Sequence, residues 1–258
     1  MKYDFGLELY RLEKKTESFY KHLEVKKSLL EKIPKTLHFT WNSPFLNETN
    51  QLNVDLKVRA NIQTCLDVHP NWDYIIWTDD LVRKGFPELV DLLIAANIPS
   101  VISDVLRMNI IARYGGIYMD TDFLCVRSFE PLLDQQYCTA FAGSEEAIED
   151  NEFNLIVSGG LIGAVQGHFL FRRAAKLILN HALKPEVPSV KTGPYFLGKM
   201  VRRYNTSTDC FYVYKKNLFY QCNFNQRGTC QTKLAEYKDD SSIYAIHLWY
   251  ASWIIGLD

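Results

Sequence analysis

The segment 103–122 restricts the fold of this chain more than any other, because it joins a helix to a strand through two glycines. Apolar residues recur at helical spacing over 101–112, and Ser103 is suited to cap that helix. The glycine pair at 115–116 predicts its end, since glycine adopts the left-handed C-terminal conformation without steric cost. Residues 117–122 then alternate in polarity as a strand does. Helices that feed into strands in this way are typical of α/β folds.

Two carboxylates end the predicted strand. Asp120 and Asp122 lie on one side of it together with Tyr118. Carboxylates at positions i and i+2 suit Mg²⁺ or Mn²⁺ shared with a diphosphate. Asp104 and Arg107, three residues apart, share one face of the preceding helix. We interpret Arg107 either as the structural partner of Asp104 or as a bidentate ligand for a phosphate or sugar hydroxyl, and the two roles are compatible.

The rest of the main domain alternates between strands and helices. Over 36–122 the order strand, helix, strand, helix, helix, strand predicts a parallel α/β sheet with crossover helices. Ligands of such sheets bind beyond the carboxyl ends of the strands. His38 lies on the first strand and Trp41 at its exit, and we count both among the candidates for substrate contact. Trp41 either belongs to the core or stacks on a nucleobase.

Residues 1–32 differ from the main domain, which we place at 33–258. Apolar residues recur there at three- and four-residue steps among lysines and glutamates, so we predict an amphipathic helical extension. It packs on the main domain or on a dimer partner, with peripheral membrane contact as the alternative. A net charge of -1 argues against nucleic acid as the main partner.

The cysteines and the hydropathy pattern bear on the compartment. No CxxC or zinc spacing occurs, and Cys65, Cys125 and Cys138 lie in apolar runs typical of small core residues. A disulfide among Cys210, Cys222 and Cys230 stays open. The sequence begins without the apolar run of a signal peptide, and no stretch reaches the roughly 20 apolar residues of a membrane span. We therefore expect a cytoplasmic protein with reduced thiols, with contact at the inner face of the membrane as the alternative.

Two tryptophans and a histidine lie close together near the C-terminal end of the sequence. His247, Trp249, Ser252 and Trp253 are explained better by a segment folded back over the crevice than by a frayed tail. Imidazole is a ligand for Mn²⁺, so His247 is a candidate third metal ligand beside Asp120 and Asp122. The alternative for His247 is a hydrogen-bonded core histidine.

Four segments together resemble the DXD-containing glycosyltransferases of family 32, which are related to the catalytic domain of the large glucosylating toxins. The resemblance is strong over about residues 33–133 and extends to the end through Thr192-Gly193-Pro194 and the C-terminal histidine and tryptophans. The motifs that carry it are Ile33-Pro34-Lys35-Thr36-Leu37-His38-Phe39-Thr40-Trp41, Trp72-x-Tyr74-x-x-Trp77-Thr78-Asp79-Asp80, Ser103-Asp104-x-x-Arg107 and Tyr114-Gly115-Gly116-Ile117-Tyr118-x-Asp120-x-Asp122.

The resemblance implies a GT-A fold, in which a Rossmann-like nucleotide-binding half joins an acceptor half. It implies a nucleotide-sugar donor, Mn²⁺ or Mg²⁺ as cofactor, and transfer of a hexose with retention of anomeric configuration. We expect a UDP-sugar rather than a GDP-sugar, and a glycan or glycolipid acceptor in surface polysaccharide or oligosaccharide synthesis. A protein acceptor, as for the toxins, is the alternative.

The resemblance also implies roles for individual residues. Asp122 would ligate the metal directly, and Asp120 would contact the ribose and the metal. Asp104 and Arg107 would hold the donor sugar, and Trp41 would pack near the base. Tyr118 is a further candidate for substrate contact. Three residues of the C-terminal segment would approach the β-phosphate and the leaving oxygen: His247, Ser252 and Trp253.

One position departs from the family pattern. Relatives often carry Ser-Asn-Gly where this chain has Ser158-Gly159-Gly160, so Gly159 takes the place of an asparagine expected near the sugar or the acceptor. Ser158 is the candidate that replaces this side chain in part. We therefore include Ser158 and Gly159 among the substrate-binding positions.

Two other functions use the same residues. In phosphohydrolases of the haloacid dehalogenase type the first aspartate of an Asp-x-Asp pair is the nucleophile, which would be Asp120 here. That motif normally lies on the first strand and continues with Thr or Val two residues on, whereas this pair lies mid-chain and is followed by Leu124. The other alternative is a protein that binds nucleotide sugars without turnover.

Overall fold

The computed structural model describes residues 32–42, 56–133, 138–145, 156–183, 192–205 and 210–250. Residues 1–31 lie outside this part, and with them all but the last residue of the predicted helical extension. Its helical structure and the division of the chain at residue 32 therefore stay predictions.

The described residues form an α/β structure. Its strands are β1 Thr36–Thr40, β2 Asp73–Trp77, β3 Gly116–Met119, β4 Phe123–Cys125, β5 Cys138–Ser144, β6 Val157–Ala164, β7 Cys210–Tyr214 and β8 Ala245–His247. Its α-helices are α1 Leu56–Val68, α2 Asp79–Gly85, α3 Val90–Ala96, α4 Pro99–Tyr114, α5 Glu130–Leu133, α6 Phe169–Ala182, α7 Pro194–Tyr204, α8 Arg227–Thr232 and α9 Leu234–Asp239. Short 3₁₀ turns lie at Pro87–Leu89, Lys216–Leu218 and Phe224–Gln226.

Six strands form the central sheet, in the order β2-β1-β3-β6-β5-β7. The first three are parallel, which confirms the prediction for this half of the sheet. Beyond β3 the sheet is mixed, because β6 runs antiparallel to both β3 and β5, whereas β7 is parallel to β5. The carboxyl ends of β1, β2 and β3 meet at one edge of the sheet, which we call the site edge. A separate antiparallel pair joins β4 to β8.

Helix α4 is longer at its start than the sequence predicts. It begins at Pro99, after Ile98, so the prediction that Ser103 caps it is wrong. Proline at the first helical position has a backbone angle already suited to the helix and lacks an N–H that would need a partner. Gly115 ends the helix at a φ of 66°, as predicted. A Cβ at Gly115 would lie 2.5 Å from the backbone nitrogen of Gln166, so glycine is required there for space as well.

Strand β3 is shorter than predicted. It ends at Met119, so Asp120 and Asp122 lie in the turn that joins β3 to β4 and not on the strand itself. All four residues of β3 are buried, because the strand lies inside the sheet between β1 and β6. The buried strand thus ends abruptly at the two carboxylates, which are half-buried.

Three disulfides connect the six cysteines, in contrast to the predicted reduced thiols. Cys65 of α1 is bonded to Cys125 of β4, Cys138 to Cys210 across β5 and β7, and Cys222 to Cys230. The first two pairs are 60 and 72 residues apart in sequence, and only the fold brings them together. Apolar neighbours are compatible both with free core cysteines and with buried disulfides, so the sequence alone does not distinguish these two states.

Within the described part of the chain, no helix has the length and apolar character needed to cross a bilayer.

Candidate active site

Three ligand-bearing side chains meet beyond the end of β3. Asp120 and Asp122 come from the turn after β3, and His247 comes from the end of β8. One potential ligand atom from each lies within 4.8 Å of the others. The pairing of β4 with β8 causes this meeting, because it places Phe123 opposite His247. The structure thus brings together the three residues predicted to hold a metal.

The C-terminal segment holds Asp122 through both its side chain and its backbone. The Oδ1 atom of Asp122 lies 3.0 Å from Nε2 of His247, and its Oδ2 atom accepts a hydrogen bond from the backbone N–H of Tyr250 at 3.1 Å. The backbone N–H of Leu248 donates to the carbonyl of Asp122. Burial acts to raise the pKa of Asp122, but His247 and the Tyr250 N–H outweigh it and lower that pKa below its usual value.

Arg107 connects Asp120 to Asp104. Its Nη2 atom lies 3.1 Å from Oδ1 of Asp120 and 3.4 Å from Oδ1 of Asp104. Asp104 also accepts a 2.7 Å hydrogen bond from the hydroxyl of Thr192, just before α7. Burial raises the pKa of Asp104, while Arg107 and Thr192 act against that rise. Arg107 is thus the structural partner of both carboxylates, and its position fixes that of Asp120.

Tyr118 lies beneath this ion pair. Its buried hydroxyl donates to Oδ1 of Asp120 at 3.0 Å and lies within hydrogen-bond distance of the hydroxyls of Thr40 and Ser103. The guanidinium of Arg107 lies over its ring, 5.0 Å from the centroid. Tyr118 is fully buried, so the structure gives it a role in positioning Asp120, while its contact with substrate stays a prediction.

The start of β6 forms the opposite wall. Gly159 leaves room for Arg107, since a Cβ there would lie 2.8 Å from Nη1 of that arginine. Gly160 leaves room for Asp120, since a Cβ there would lie 2.9 Å from its Oδ2 atom. The glycine at 159 therefore serves close packing of the guanidinium. Ser158 is buried, and its hydroxyl accepts hydrogen bonds from the Tyr220 hydroxyl at 2.6 Å and from the Gly160 N–H at 3.1 Å.

Three further polar residues in this network were missed at the level of sequence. They are Thr192, which bonds Asp104, Tyr220, which bonds Ser158, and Glu145 at the end of β5. Burial raises the pKa of Glu145, although a hydrogen bond with Ser158 acts to lower it. Thr192 belongs to the motif Thr192-Gly193-Pro194, whereas no local pattern distinguishes Tyr220 or Glu145 from ordinary strand and loop residues.

The remaining predicted contacts have different outcomes. His38 is buried in the core, where Nδ1 accepts from Trp77 and Nε2 donates to the carbonyl of Gly115. Both ring nitrogens have partners within the core, which gives His38 a structural role, and its contact with substrate stays a prediction. Trp41 is half-buried and packs against the main hydrophobic core at the site edge. Ser252 and Trp253 lie outside the described residues.

The chemistry of the Asp-Asp-His group fits a divalent cation. Two carboxylates and an imidazole form a donor set that Mn²⁺ accepts. Burial and the negative charge of Asp122 raise the pKa of Asp120 in spite of Arg107, so the two carboxylates repel each other when both are ionised. The Nδ1 atom of His247 is buried and has no hydrogen-bond partner in the described part of the chain. A cation would offset the repulsion of the carboxylates.

Comparison with known proteins identifies this part of the chain. Residues 55–139, which include Asp104, Arg107, Asp120 and Asp122, match the family model described as “Glycosyltransferase sugar-binding region containing DXD motif”. Over these residues the chain is similar to the sugar-binding region of the DXD glycosyltransferases. The resemblance inferred from the sequence is thereby confirmed for this region.

Curated relatives from two yeasts support the same family. The chain is 29% identical over 180 residues to mannosyl phosphorylinositol ceramide synthase SUR1 of Saccharomyces cerevisiae, covering 67% of this chain and 42% of that protein. It is 26% identical over 191 residues to inositol phosphoceramide mannosyltransferase 3 of Schizosaccharomyces pombe, covering 71% and 48% of the two chains. The chain therefore spans less than half of the length of these relatives.

A solved structure supports the fold. The PaToxG glycosyltransferase superposes with a TM-score of 0.50 at 16% identity, over 76% of this chain and 80% of that one. The predicted GT-A fold is confirmed.

Proposed function

We propose that this chain is the catalytic region of a metal-dependent glycosyltransferase that moves a sugar from a nucleotide sugar to a glycolipid. The observation that carries the proposal is the convergence of Asp120, Asp122 and His247 at the site edge, within and beside the matched DXD region. Nucleotide ligands of open α/β sheets bind beyond the carboxyl ends of the strands, where this group lies.

The metal would be held by Asp120, Asp122 and His247, with Mn²⁺ preferred over Mg²⁺ because imidazole is among the ligands. When bound, the ion supplies positive charge that stabilises the leaving diphosphate. Arg107 keeps Asp120 in place through the 3.1 Å contact, and Tyr118 supports the same oxygen. The backbone N–H of Tyr250 orients Asp122.

Retention by front-face substitution is the mechanism that we favour. Four carboxylates near the crevice have other partners. Asp104 is bonded to Arg107 and Thr192, Asp120 and Asp122 belong to the group proposed to bind the metal, and Glu145 is hydrogen-bonded with Ser158. A double displacement needs a free carboxylate about 5 Å from its partner across the scissile bond. In the front-face reaction the bond from the anomeric carbon to the phosphate breaks and a bond to the acceptor oxygen forms on the same face. The acceptor proton passes to the leaving phosphate oxygen.

The names of the relatives direct the choice of donor and acceptor. They describe transfer of mannose to inositol phosphoceramide, an anionic membrane lipid. We therefore propose a mannosyl donor and an inositol phospholipid acceptor, which favours GDP-mannose as the first donor to test. The UDP-sugar preferred from the sequence remains the competing outcome of the same screen.

The disulfides bear on the compartment. Disulfides persist in oxidising compartments and are rare in the cytosol. Three pairs connect the described cysteines, so we propose that this domain works in an oxidising compartment in place of the cytoplasm expected from the sequence.

The decisive experiment replaces Asp122 by Asn, which preserves its size and removes its charge. We expect Asp122→Asn to lose Mn²⁺ binding in calorimetry and sugar transfer from GDP-mannose or UDP-hexoses, while its circular dichroism spectrum is unchanged. Asp239→Asn, an exposed aspartate in α9, makes the same chemical change away from the site and should have no effect.

Full transfer by Asp122→Asn, or by the unchanged chain in EDTA, would overturn the proposal. Phosphate release from p-nitrophenyl phosphate without nucleotide-sugar binding would favour the phosphohydrolase alternative. Donor binding without transfer to any inositol phospholipid, sugar or protein would favour a binding protein.

A further inference from the structure

Exposed hydrophobic side chains concentrate at the site edge. Among the described residues, eight large hydrophobic side chains are exposed. Tyr74 and Tyr212 lie on β2 and β7, the two outermost strands of the sheet. We call the other six the apolar rim: Leu56, Leu81, Ile94, Ile98, Leu183 and Tyr195. Single exposed hydrophobic residues need no explanation, but their clustering at one end of a domain does.

Three of these residues lie on helices that flank β1 and β2, and the topology places them at the site edge. Helix α1 follows β1 and returns to the start of β2, so its first residue, Leu56, lies at the carboxyl end of β1. Helix α2 begins directly after β2, which places Leu81 near the end of that strand. Ile94 lies in the second half of α3, which leads to the start of α4.

The other three residues border the Asp104 side of the crevice. Ile98 precedes α4, whose first turns carry Ser103 and Asp104. Helix α6 begins beside the far end of α4, where the Gly167 N–H donates to the carbonyl of Ala112, so Leu183 at its other end lies at the site edge. Tyr195 is the second residue of α7 and lies three residues after Thr192, which bonds Asp104.

Helices α6 and α7 add positive charge next to the rim. Together they carry six basic residues and no acidic one, in a chain whose net charge is -1: Arg172, Arg173, Lys176, Lys199, Arg202 and Arg203. Lys176 and Lys199 are exposed. They lie seven and four residues from the rim residues of their helices, about 10 Å and 6 Å along the axes. Both distances are comparable with the Debye length, so these charges act on a surface that touches the rim.

We propose that the apolar rim docks on the surface of an anionic lipid bilayer, with Lys176 and Lys199 facing the lipid phosphates. Aliphatic and tyrosine side chains enter the boundary between headgroups and acyl chains, and nearby lysines add attraction to anionic lipid. Docking in this orientation turns the crevice toward the headgroups. That the headgroup is the acceptor rests on the proposed function, whereas the docking itself does not.

A bilayer fits this surface better than a second protein does. The rim residues lie at the ends of the elements that border the crevice, so a folded partner seated on them would cover the site. Specific protein interfaces also need a continuous contact of about 800 Å² on each partner. A bilayer that touches the rim instead presents its lipid headgroups, which include the proposed acceptor, directly to the crevice. The contact predicted from the sequence through residues 1–32 is a different one, and the test separates the two.

The test measures binding of the full chain to vesicles of phosphatidylcholine with and without phosphatidylserine. The unchanged chain should bind the anionic vesicles and bind the neutral ones weakly. The double variant Leu183→Ser/Tyr195→Ser should bind them about tenfold or more weakly, since it removes two side chains from the lipid contact. The control Tyr74→Ser/Tyr212→Ser should bind as the unchanged chain does. Its side chains are 51% and 42% exposed, close to the 57% and 45% of the rim pair.

A second pair of variants tests the charges. Lys176→Glu/Lys199→Glu should lower the affinity for anionic vesicles by about fivefold for each lysine lost. The two added glutamates should lower it further, because anionic lipid repels them. Lys215→Glu/Lys238→Glu changes the net charge by the same amount at exposed lysines outside α6 and α7 and should have little effect. Donor hydrolysis without acceptor should be the same in all four variants.

Several outcomes would overturn the proposal. They are failure of the unchanged chain to bind anionic vesicles, equal binding by the rim variant and its control, or a change in oligomeric state in the rim variant without a change in vesicle binding. Equal binding would direct attention to residues 1–32. Vesicle binding is scored without any sugar transfer, so a failure of the proposed activity would be recognised separately.

Discussion

Gly160→Ala is the smallest change that tests how the site positions Asp120, a proposed metal ligand. The alanine Cβ would lie 2.9 Å from Oδ2 of Asp120, so that oxygen must retreat by roughly 0.5 Å to reach ordinary van der Waals contact. It cannot retreat freely, because the other oxygen of Asp120 is held by Arg107 at 3.1 Å and by Tyr118 at 3.0 Å. Gly160 does not have a left-handed backbone, so alanine adds no backbone strain and the effect is steric.

The expected result has two parts. Overpacking costs about 1–3 kcal/mol, partly offset by the 0.4–1 kcal/mol that alanine contributes by restricting the unfolded chain, so the free energy of unfolding should fall by about 1 kcal/mol. Displacement of a metal ligand or its support typically lowers metal affinity or activity about 10- to 100-fold. Mn²⁺ titration calorimetry, transfer assays and urea unfolding measure these quantities.

The control is Gly228→Ala in α8, where a Cβ meets no atom within 4 Å. It should retain metal affinity and should be no less stable than the unchanged chain, since alanine favours a helix. If Gly160→Ala binds Mn²⁺ and transfers sugar as the control does, the close fit between β6 and Asp120 has no functional importance and the reasoning fails.

Two further predictions concern stability. Burial lowers the pKa of His38 from 6.5 to about 4, so the unfolded chain binds a proton in this range while the folded protein does not. The free energy of unfolding should therefore be unaffected by His38 above about pH 6.5 and should fall by about 3 kcal/mol through this residue as the pH falls to about 4. In His38→Asn, the free energy of unfolding measured in urea should depend less on pH over this range. An unchanged dependence on pH would contradict the assignment. Removal of the Cys65–Cys125 disulfide, which spans 60 residues, should cost about 4 kcal/mol, whereas removal of Cys222–Cys230, which spans 8, should cost about 2–3 kcal/mol. Equal losses in chemical denaturation, or free thiols detected in the denatured unreduced chain, would refute this.

The sequence predicts the elements whose signal is local. The helix predicted from the apolar spacing over 101–112 is present within α4, because apolar residues at the helical period face the core there. The parallel half of the sheet followed from the alternation of strands and helices. Ser103 was misread because capping suitability is a local property, whereas Pro99 had already started the helix.

The parts of the site that depend on distant contacts were less predictable. The pair Asp120 and Asp122 was visible in the sequence, and His247 was a reasonable third ligand. That Tyr118 and Arg107 are buried supports for Asp120 follows only from the packing of α4 against β3 and β6. Glu145 lies at the end of β5, and no neighbouring residue in the sequence marks it as part of the site.

The link between β8 and the turn after β3 has a consequence for biosynthesis. Tyr250 lies 128 residues after Asp122, and both it and His247 are needed to hold that carboxylate. During translation the two aspartates emerge long before their partners, so the proposed cation site is incomplete until strand β8 has paired with β4. The proposed activity would therefore be acquired late in synthesis. A nascent or prematurely terminated chain would display the DXD residues without the ability to consume donor.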